Sequence, residues 1–156
     1  MKRFLKGFVY AFNGIMTCIK EERNFRFHIA VAFHLFAYLR FFDVSKVELC
    51  ILIMLCGAVF ALEAVNTAIE NSVDSTGIVN SHAGAAKDAA AGAVLIAAIV
   101  SVICGVIILW QPKAFGSIAQ FFIKRPLAIV AQIIVLAFWT WFVFVWHKNI
   151  KKSASS

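Results

Sequence analysis

The chain has 156 residues, of which 62% are hydrophobic and only 15% are charged, and its formal net charge is +7. Soluble domains are about half apolar and a quarter charged, so this composition excludes an ordinary soluble domain and indicates a one-domain membrane protein. The basic excess then marks cytoplasmic ends beside anionic membrane lipids. Nucleic-acid binding is excluded because it would need a soluble fold, for which the chain has too few polar residues.

The N-terminal segment, residues 1–27, interleaves basic and apolar side chains. The apolar ones recur at helical spacing: Phe4, Leu5, Phe8, Val9, Phe12 and Ile15. This pattern predicts an amphipathic helix lying on the membrane surface. An ordinary helix packed on a protein core would show the same periodicity, so that alternative stays open.

Four apolar segments follow. They are residues 29–42, 47–69, 89–111 and 126–147, with polar connections at 70–88 and 113–125. The first is short for a membrane span and crosses only if its helix begins near Phe25. The sequence therefore predicts an all-α integral membrane protein with a surface helix, three transmembrane helices and a fourth, C-terminal one.

The distribution of basic residues predicts the orientation. With the N-terminus inside, ten of the fifteen Lys and Arg residues lie on the cytoplasmic side. The other five are Arg40, Lys46, Lys113, Lys124 and Arg125. Since basic residues concentrate on the cytoplasmic side, we expect a multi-pass membrane protein with both termini cytoplasmic. The acidic segments near residue 22 and in 70–88 then share that side.

The second apolar segment carries a stripe of polar residues. Asn66, Glu70 and Asp74 follow Glu63 at +3, +7 and +11, which places all four within about 80° on one helix face. An ionisable residue in a span is costly and therefore suggests a functional site. The alternatives are polar contacts between helices, or side chains facing water beyond the membrane. We assign Asp74 to water and the other three to a site.

Depth along this helix separates the expected roles. Glu63 and Glu70 lie about 10 Å apart. A carboxylate at the surface can hold Mg²⁺, which prefers one or two carboxylates plus phosphate oxygens. A deeper carboxylate can meet the hydroxyl group of an embedded lipid and act as a general base.

Two further charged clusters qualify as site candidates. Lys87 and Asp88 precede the third apolar segment, where the lysine suits phosphate and a solvated pair beside a membrane helix is the alternative. The other cluster consists of Glu21, Glu22 and Arg23, together with Arg26. It gains a role only if it folds back near Glu70. The chain has no GxxxxGK[ST] phosphate-binding loop, so metal and basic side chains would have to hold the phosphates.

Three segments together resemble the prokaryotic diacylglycerol kinase/undecaprenol kinase family. They are ERNFRFH (22–28), EAVNTAIENSVD (63–74) and AKDAAAGAVL (86–95). Single matching positions are Arg3, Tyr10 and Gly14. The resemblance covers about residues 1–113 and ends at a WQPK turn, so it divides the chain into a kinase domain, 1–113, and a C-terminal extension, 114–156.

This resemblance implies a homotrimer with three spans per subunit that uses ATP, Mg²⁺ and a membrane lipid alcohol. It implies Glu63 as the general base and Asn66 as its neighbour near the γ-phosphate. Glu22 and Glu70 resemble the carboxylates that hold metal and nucleotide. The remaining implied nucleotide contacts are Lys87, Asp88, Arg3 and Tyr10. The added span at 126–147 departs from the family, and no contacts in 75–85 are carried over.

The sequence thus predicts a lipid kinase, with undecaprenol as the expected acceptor and diacylglycerol as the alternative. A different class of protein stays open, namely a non-enzymatic transporter or membrane subunit that uses Glu63 as a proton site. That alternative leaves Glu22 and the Lys87–Asp88 pair unexplained.

Overall fold

A computed structural model describes residues 2–77 and 80–146, with side chains from residue 4 onward. This part of the chain contains no strand and is built from six α-helices and one short 3-10 turn, Leu39–Phe41. The helices are α1 (Lys2–Glu21), α2 (Arg23–Tyr38), α3 (Lys46–Thr76), α4 (Ser81–Leu109), α5 (Pro112–Lys124) and α6 (Pro126–Phe144). The Arg3 side chain and the predicted cytoplasmic tail lie outside the described residues.

The ends of the two longest helices are set by capping residues. Helix α3 begins at a capping box, in which Ser45 and Glu48 each bond the other's backbone N–H. It ends at Gly77, whose positive φ of 63° suits glycine. Helix α4 begins after Asn80, whose side chain accepts a hydrogen bond from the Ala83 N–H at 2.7 Å.

Both predicted connections are wrong in extent. Only residues 77–80 separate α3 from α4, where we expected a connection over 70–88, and the third apolar helix begins at Ser81 instead of residue 89. Residues 113–125 fall almost wholly within α5. Polar residues in these segments favour water but do not break a helix, so each helix continues to its caps.

Within residues 2–77 and 80–146, three helices are long and apolar enough to cross a membrane: α3, α4 and α6. Helix α2 has 16 residues and is not among them. With the following 3-10 turn it reaches about 30 Å, close to the thickness of a bilayer core. The predicted first crossing therefore depends on this turn.

The helices run alternately between two ends of the molecule. At one end, called the polar end, the Asn71 amide donates to Glu21 at 3.4 Å, which joins α3 to the end of α1. At the opposite, distal end, the Asp43 N–H donates to the Gln111 side chain at 3.0 Å. Helix α6 returns to the polar end, where the Val143 carbonyl contacts α2.

Helices α3 and α4 form the main pair, and α2 packs on both α3 and α6. Phe25 meets Phe60 of α3 at a ring distance of 5.5 Å, and Phe33 meets Trp139 of α6 at 5.4 Å. Most apolar side chains of α4 are exposed in the single chain. Lipid or other protein can cover such a surface in a membrane.

Candidate active site

Glu63 is a buried carboxylate at the deep end of the polar stripe on α3. The residue is only 2% exposed. Its Oε1 lies 3.3 Å from Nε2 of His28 on α2, but this contact lacks the alignment of a hydrogen bond. The Thr67 hydroxyl donates to the Glu63 carbonyl at 2.9 Å and so stays within its own helix. One carboxylate oxygen of Glu63 is therefore left without a hydrogen-bond donor, as a proton acceptor requires.

Asn66 and Glu70 continue the same stripe towards the polar end. The Asn66 amide donates to Oε1 of Glu70 at 2.8 Å, across one helical turn. Asn66 is 7% exposed, and its Oδ1 has no hydrogen-bond partner in the described part of the chain. Glu70 is partly exposed. The contact orients the Glu70 carboxylate and leaves a buried amide oxygen free for a ligand.

Glu22 joins these residues from a distant part of the sequence. It occupies the extended break between α1 and α2, with φ of −99° and ψ of 115°. Burial raises the pKa of its carboxyl group, and repulsion from Glu70 and then Glu63 raises it further, while Arg26 opposes this effect. The structure thus brings Glu22 close enough to both carboxylates of α3 for electrostatic coupling.

The carboxylates of Glu22 and Glu70 form a donor set that suits Mg²⁺. Among the described residues, no three His, Cys, Asp or Glu side chains converge as a complete metal cage. Mg²⁺ does not need one, since it commonly binds one or two carboxylates together with water and phosphate oxygens. The mutual repulsion that raises the Glu22 pKa is what a cation would relieve.

Lys87 lies at the polar end on α4, where it pairs with Asp74 of α3. Its Nζ lies 2.8 Å from Oδ1 of Asp74, and the two side chains are 34% and 67% exposed. Asp74 therefore faces water, as expected, but it also holds the lysine. An exposed pair of this kind is weak, so a phosphate can compete for Lys87.

The structure does not bring every predicted residue to the carboxylates. Asp88 is exposed on α4, and Tyr10 is 69% exposed on α1. Neither contacts Glu22, Glu63 or Glu70 through a hydrogen bond or ion pair in the described part of the chain. Their proposed nucleotide contacts, with that of Arg3, stay predictions.

Arg26 is a buried cation that binds backbone carbonyl groups. It is 1% exposed and donates to the carbonyls of Ile19 at 2.8 Å, Lys20 at 3.1 Å and Val143 at 3.3 Å. These carbonyls belong to the last turns of α1 and α6, where intrahelical partners are missing. Arg26 therefore fixes the helix ends next to Glu22 and is not free to bind phosphate.

An apolar cavity of about 580 Å³ runs from the site towards the distal end. Along α4 its lining extends from Ala98 to Trp110, about 18 Å at the rise of a helix. At the polar end the lining includes His28 and Val59. Val59 lies one turn before Glu63, so the buried carboxylate lies next to the end of the cavity.

The cavity and His28 were missed by sequence reasoning. His28 is the last residue of the ERNFRFH segment, but no role was assigned to it from the sequence. The signal that could have found it is depth, because His28 lies within α2, a helix expected to cross the membrane, and polar side chains there are costly. The cavity has no sequence signal, since its apolar lining comes from separate helices.

The sequence profile of the family described as prokaryotic diacylglycerol kinase matches residues 9–109. The chain belongs to this family. It is therefore a bacterial membrane lipid kinase, with ATP and a lipid alcohol as the implied substrates. The family match ends before α5, so the last two helices lie outside it.

Curated relatives carry two acceptor names. The undecaprenol kinase of Bacillus subtilis is 44% identical over 116 residues, which cover 72% of this chain and 92% of that protein. The diacylglycerol kinase of Escherichia coli K12 is 33% identical over 110 residues, covering 70% and 90%. That of Synechocystis is 36% identical over 110 residues, covering 69% and 63%. No solved structure matched the chain.

Proposed function

We propose that the chain phosphorylates undecaprenol, with Mg-ATP as the phosphoryl donor, at the cytoplasmic face of the membrane. The observation that carries this proposal is the position of Glu63. It is buried between a cluster of carboxylates at the polar end and an apolar cavity inside the helices. A soluble phosphoryl donor and a membrane-embedded acceptor would have to meet at such a boundary.

In the proposed reaction, Glu63 accepts the proton of the lipid hydroxyl as its oxygen attacks the γ-phosphate. Asn66 orients Glu70 through their 2.8 Å hydrogen bond, and its buried Oδ1 has no hydrogen-bond partner among the described residues. Glu22 and Glu70 would hold Mg²⁺, which neutralises charge on the phosphate oxygens when bound. Lys87 would exchange Asp74 for phosphate. Asp88, Tyr10 and Arg3 would contribute further nucleotide contacts.

The choice of undecaprenol rests on two observations. The relative named undecaprenol kinase shares more of its sequence with this chain than the Escherichia coli and Synechocystis diacylglycerol kinases do. The cavity is lined almost entirely by hydrocarbon along about 18 Å of α4, which suits a long isoprenoid chain without polar ester groups. Diacylglycerol is the alternative acceptor, and the names of the other two relatives favour it.

The resemblance to the family further suggests a homotrimer, and the exposed apolar surface of α4 supports contacts with other subunits or lipid. The return of α6 to the polar end supports both termini on one side of the membrane. We assign that side to the cytoplasm from the basic residues. A cysteine at Ser155 should resist an impermeant thiol reagent in intact cells, and labelling from outside would contradict this topology.

The acceptor is tested with purified protein in lipid vesicles that contain one alcohol at a time. With labelled ATP and Mg²⁺, undecaprenol should become labelled faster than diacylglycerol at equal surface concentration. The Glu63→Gln variant serves as the matched control for contaminating kinases. Preferential labelling of diacylglycerol would select the alternative acceptor, and no labelled lipid at all would contradict the proposed function.

A further inference from the structure

Among the described residues that line the apolar cavity, His28 is the one whose side chain forms an ion-pair contact with Glu63. Glu63 itself is not part of the cavity lining, because α2 and its own neighbours cover it. A hydroxyl group carried on a lipid chain in this cavity would therefore meet the imidazole ring before it met the carboxylate.

We propose that His28 binds the hydroxyl of the acceptor lipid and passes its proton to Glu63. This inference rests on the proposed function and adds a residue that touches the acceptor. A neutral imidazole can do this because one ring nitrogen donates while the other accepts. Nε2 lies 3.3 Å from Oε1 of Glu63, so a rotation of the imidazole ring would align its N–H with the carboxylate and leave Nδ1 as the acceptor for the hydroxyl. Nδ1 forms no hydrogen bond within the described part of the chain.

The hydroxyl oxygen forms a bond to the γ-phosphorus while the bond to the β,γ-bridging oxygen breaks, and ADP leaves with that electron pair. The hydroxyl proton moves to Nδ1 of His28, and the Nε2 proton moves to Oε1 of Glu63. The imidazole is then neutral but carries its proton on Nδ1. Once the products have left, Nδ1 releases that proton to water and the Glu63 carboxyl returns its proton to Nε2, which restores the starting state.

The other polar side chains of the cavity are less suited to this role. The Ser101 hydroxyl donates to the Ala97 carbonyl of its own helix at 2.7 Å. Trp110 lies at the distal end and offers only a donor. Cys56 lies deeper along α3, two turns from Glu63. Among these residues only His28 combines an acceptor nitrogen with contact to the carboxylate.

Helix α2 supplies a matched control in His34. Its Nδ1 lies 2.8 Å from the Ala30 carbonyl, and its ring lies 6.5 Å from that of Trp139 on α6. His34 is absent from the cavity lining and contacts none of the carboxylates. Changes at His34 perturb the same helix without reaching the proposed proton path.

The test compares His28→Gln, His28→Ala and His34→Gln in the undecaprenol kinase assay. A relay predicts that both His28 variants lose turnover by about 10²–10⁴-fold, the usual contribution of general acid–base catalysis. The KM for Mg-ATP should stay near that of the unchanged protein, and His34→Gln should retain turnover. Glutamine keeps a hydrogen-bonding side chain but cannot relay a proton, so near-normal turnover of His28→Gln would overturn the proposal.

Added imidazole distinguishes a proton relay from a purely structural role of His28, because free imidazole can carry a proton but cannot restore packing. It should restore part of the lost turnover to His28→Ala, whose shortened side chain opens the cavity, and it should leave His34→Gln unchanged. A His28→Ala protein that binds Mg-ATP normally but is not rescued would also overturn the relay.

A double-mutant cycle separates this inference from the proposed function. If His28 and Glu63 act as a unit, combining His28→Gln with Glu63→Gln should cost little more than either change alone. Additive losses would overturn the relay while leaving Glu63 in the mechanism. If the unchanged protein phosphorylates no lipid alcohol, the proposed function itself fails, independently of His28.

Discussion

The polar end and the C-terminal helices α5 and α6 are built on opposite principles. All eight acidic residues of the chain occur before residue 89, and three of them couple at the polar end. The C-terminal helices contain no acid and pack through rings, such as Phe121 on Phe41 and Trp139 on Phe33. Charged groups are costly in a membrane, so their concentration at the polar end indicates that the reaction takes place there. The C-terminal helices would then have a structural role.

The two regions meet at Arg26. Its guanidinium joins the Val143 carbonyl of α6 to the last carbonyls of α1, directly before Glu22. Helix α6 can therefore influence the position of Glu22 without adding a reactive group.

The largest effect is expected for Glu63→Gln. A charged residue near the centre of a span costs about 2.5–3.5 kcal/mol on insertion scales, so a packing role alone would favour an apolar residue. Loss of the general base should lower turnover by about 10²–10⁴-fold in the lipid kinase assay, with Mg-ATP binding and assembly unchanged.

The matched control is Glu48→Gln on the same helix. Glu48 caps the distal end of α3, where glutamine preserves the capping box. This variant should retain activity. A Glu63→Gln protein with near-normal turnover would remove Glu63 from the mechanism, and equal loss of ATP binding would make it a metal ligand.

The next effect concerns metal. Replacing Glu22 or Glu70 by Gln should raise the Mg²⁺ concentration needed for half-maximal activity by about 10–100-fold, a range typical of perturbed metal sites. A Mg²⁺ titration at saturating ATP measures it. Unchanged metal dependence of Glu22→Gln would show that the α1–α2 junction does not belong to the site.

Although Glu22→Gln should weaken the use of Mg²⁺, it should make the metal-free protein more stable. The pKa of Glu22 is raised in the folded protein by burial and by Glu70 and Glu63, so the folded state binds the proton more tightly than the unfolded state. At low pH the protonated Glu22 carboxyl therefore contributes to stability. This contribution is lost as the pH rises from the ordinary glutamate pKa through the raised pKa of the folded protein. Glu22→Gln should therefore raise the metal-free unfolding temperature at neutral pH.

A smaller effect is expected at the exposed Asp74–Lys87 pair. Lys87→Met should raise the KM for ATP by about tenfold, because one charge-assisted hydrogen bond contributes about 1.5–3 kcal/mol before screening by water. Asp74→Asn should leave stability within about 1 kcal/mol, since exposed pairs contribute little. An unchanged KM in Lys87→Met would remove Lys87 from the nucleotide site.

These regions also differ in how far the sequence predicts them. The helical period placed Glu63, Asn66 and Glu70 on one stripe, and the Asn66–Glu70 hydrogen bond agrees with that placement. Local patterns could not predict Arg26 as a link to α6, because its partners are backbone carbonyls that any sequence presents. The role of His28 depends on how α2 packs against α3, which no local pattern records.

The smallest effect on turnover is expected from a stop codon after Lys113, which deletes residues 114–156. The truncated protein keeps every proposed site residue, so it should assemble and lose less than about tenfold in turnover, well below the general-base contribution. It loses the Val143 acceptor of Arg26, and an unsatisfied buried donor costs about 1–3 kcal/mol, so its unfolding temperature should fall.

Arg26→Lys in the full chain is the matched comparison, because a single ammonium group cannot reproduce the guanidinium's contacts with carbonyls of two helices. If α6 acts through Arg26, both proteins should lose similar turnover. A truncated protein that folds but is inactive would show that the C-terminal helices complete the site.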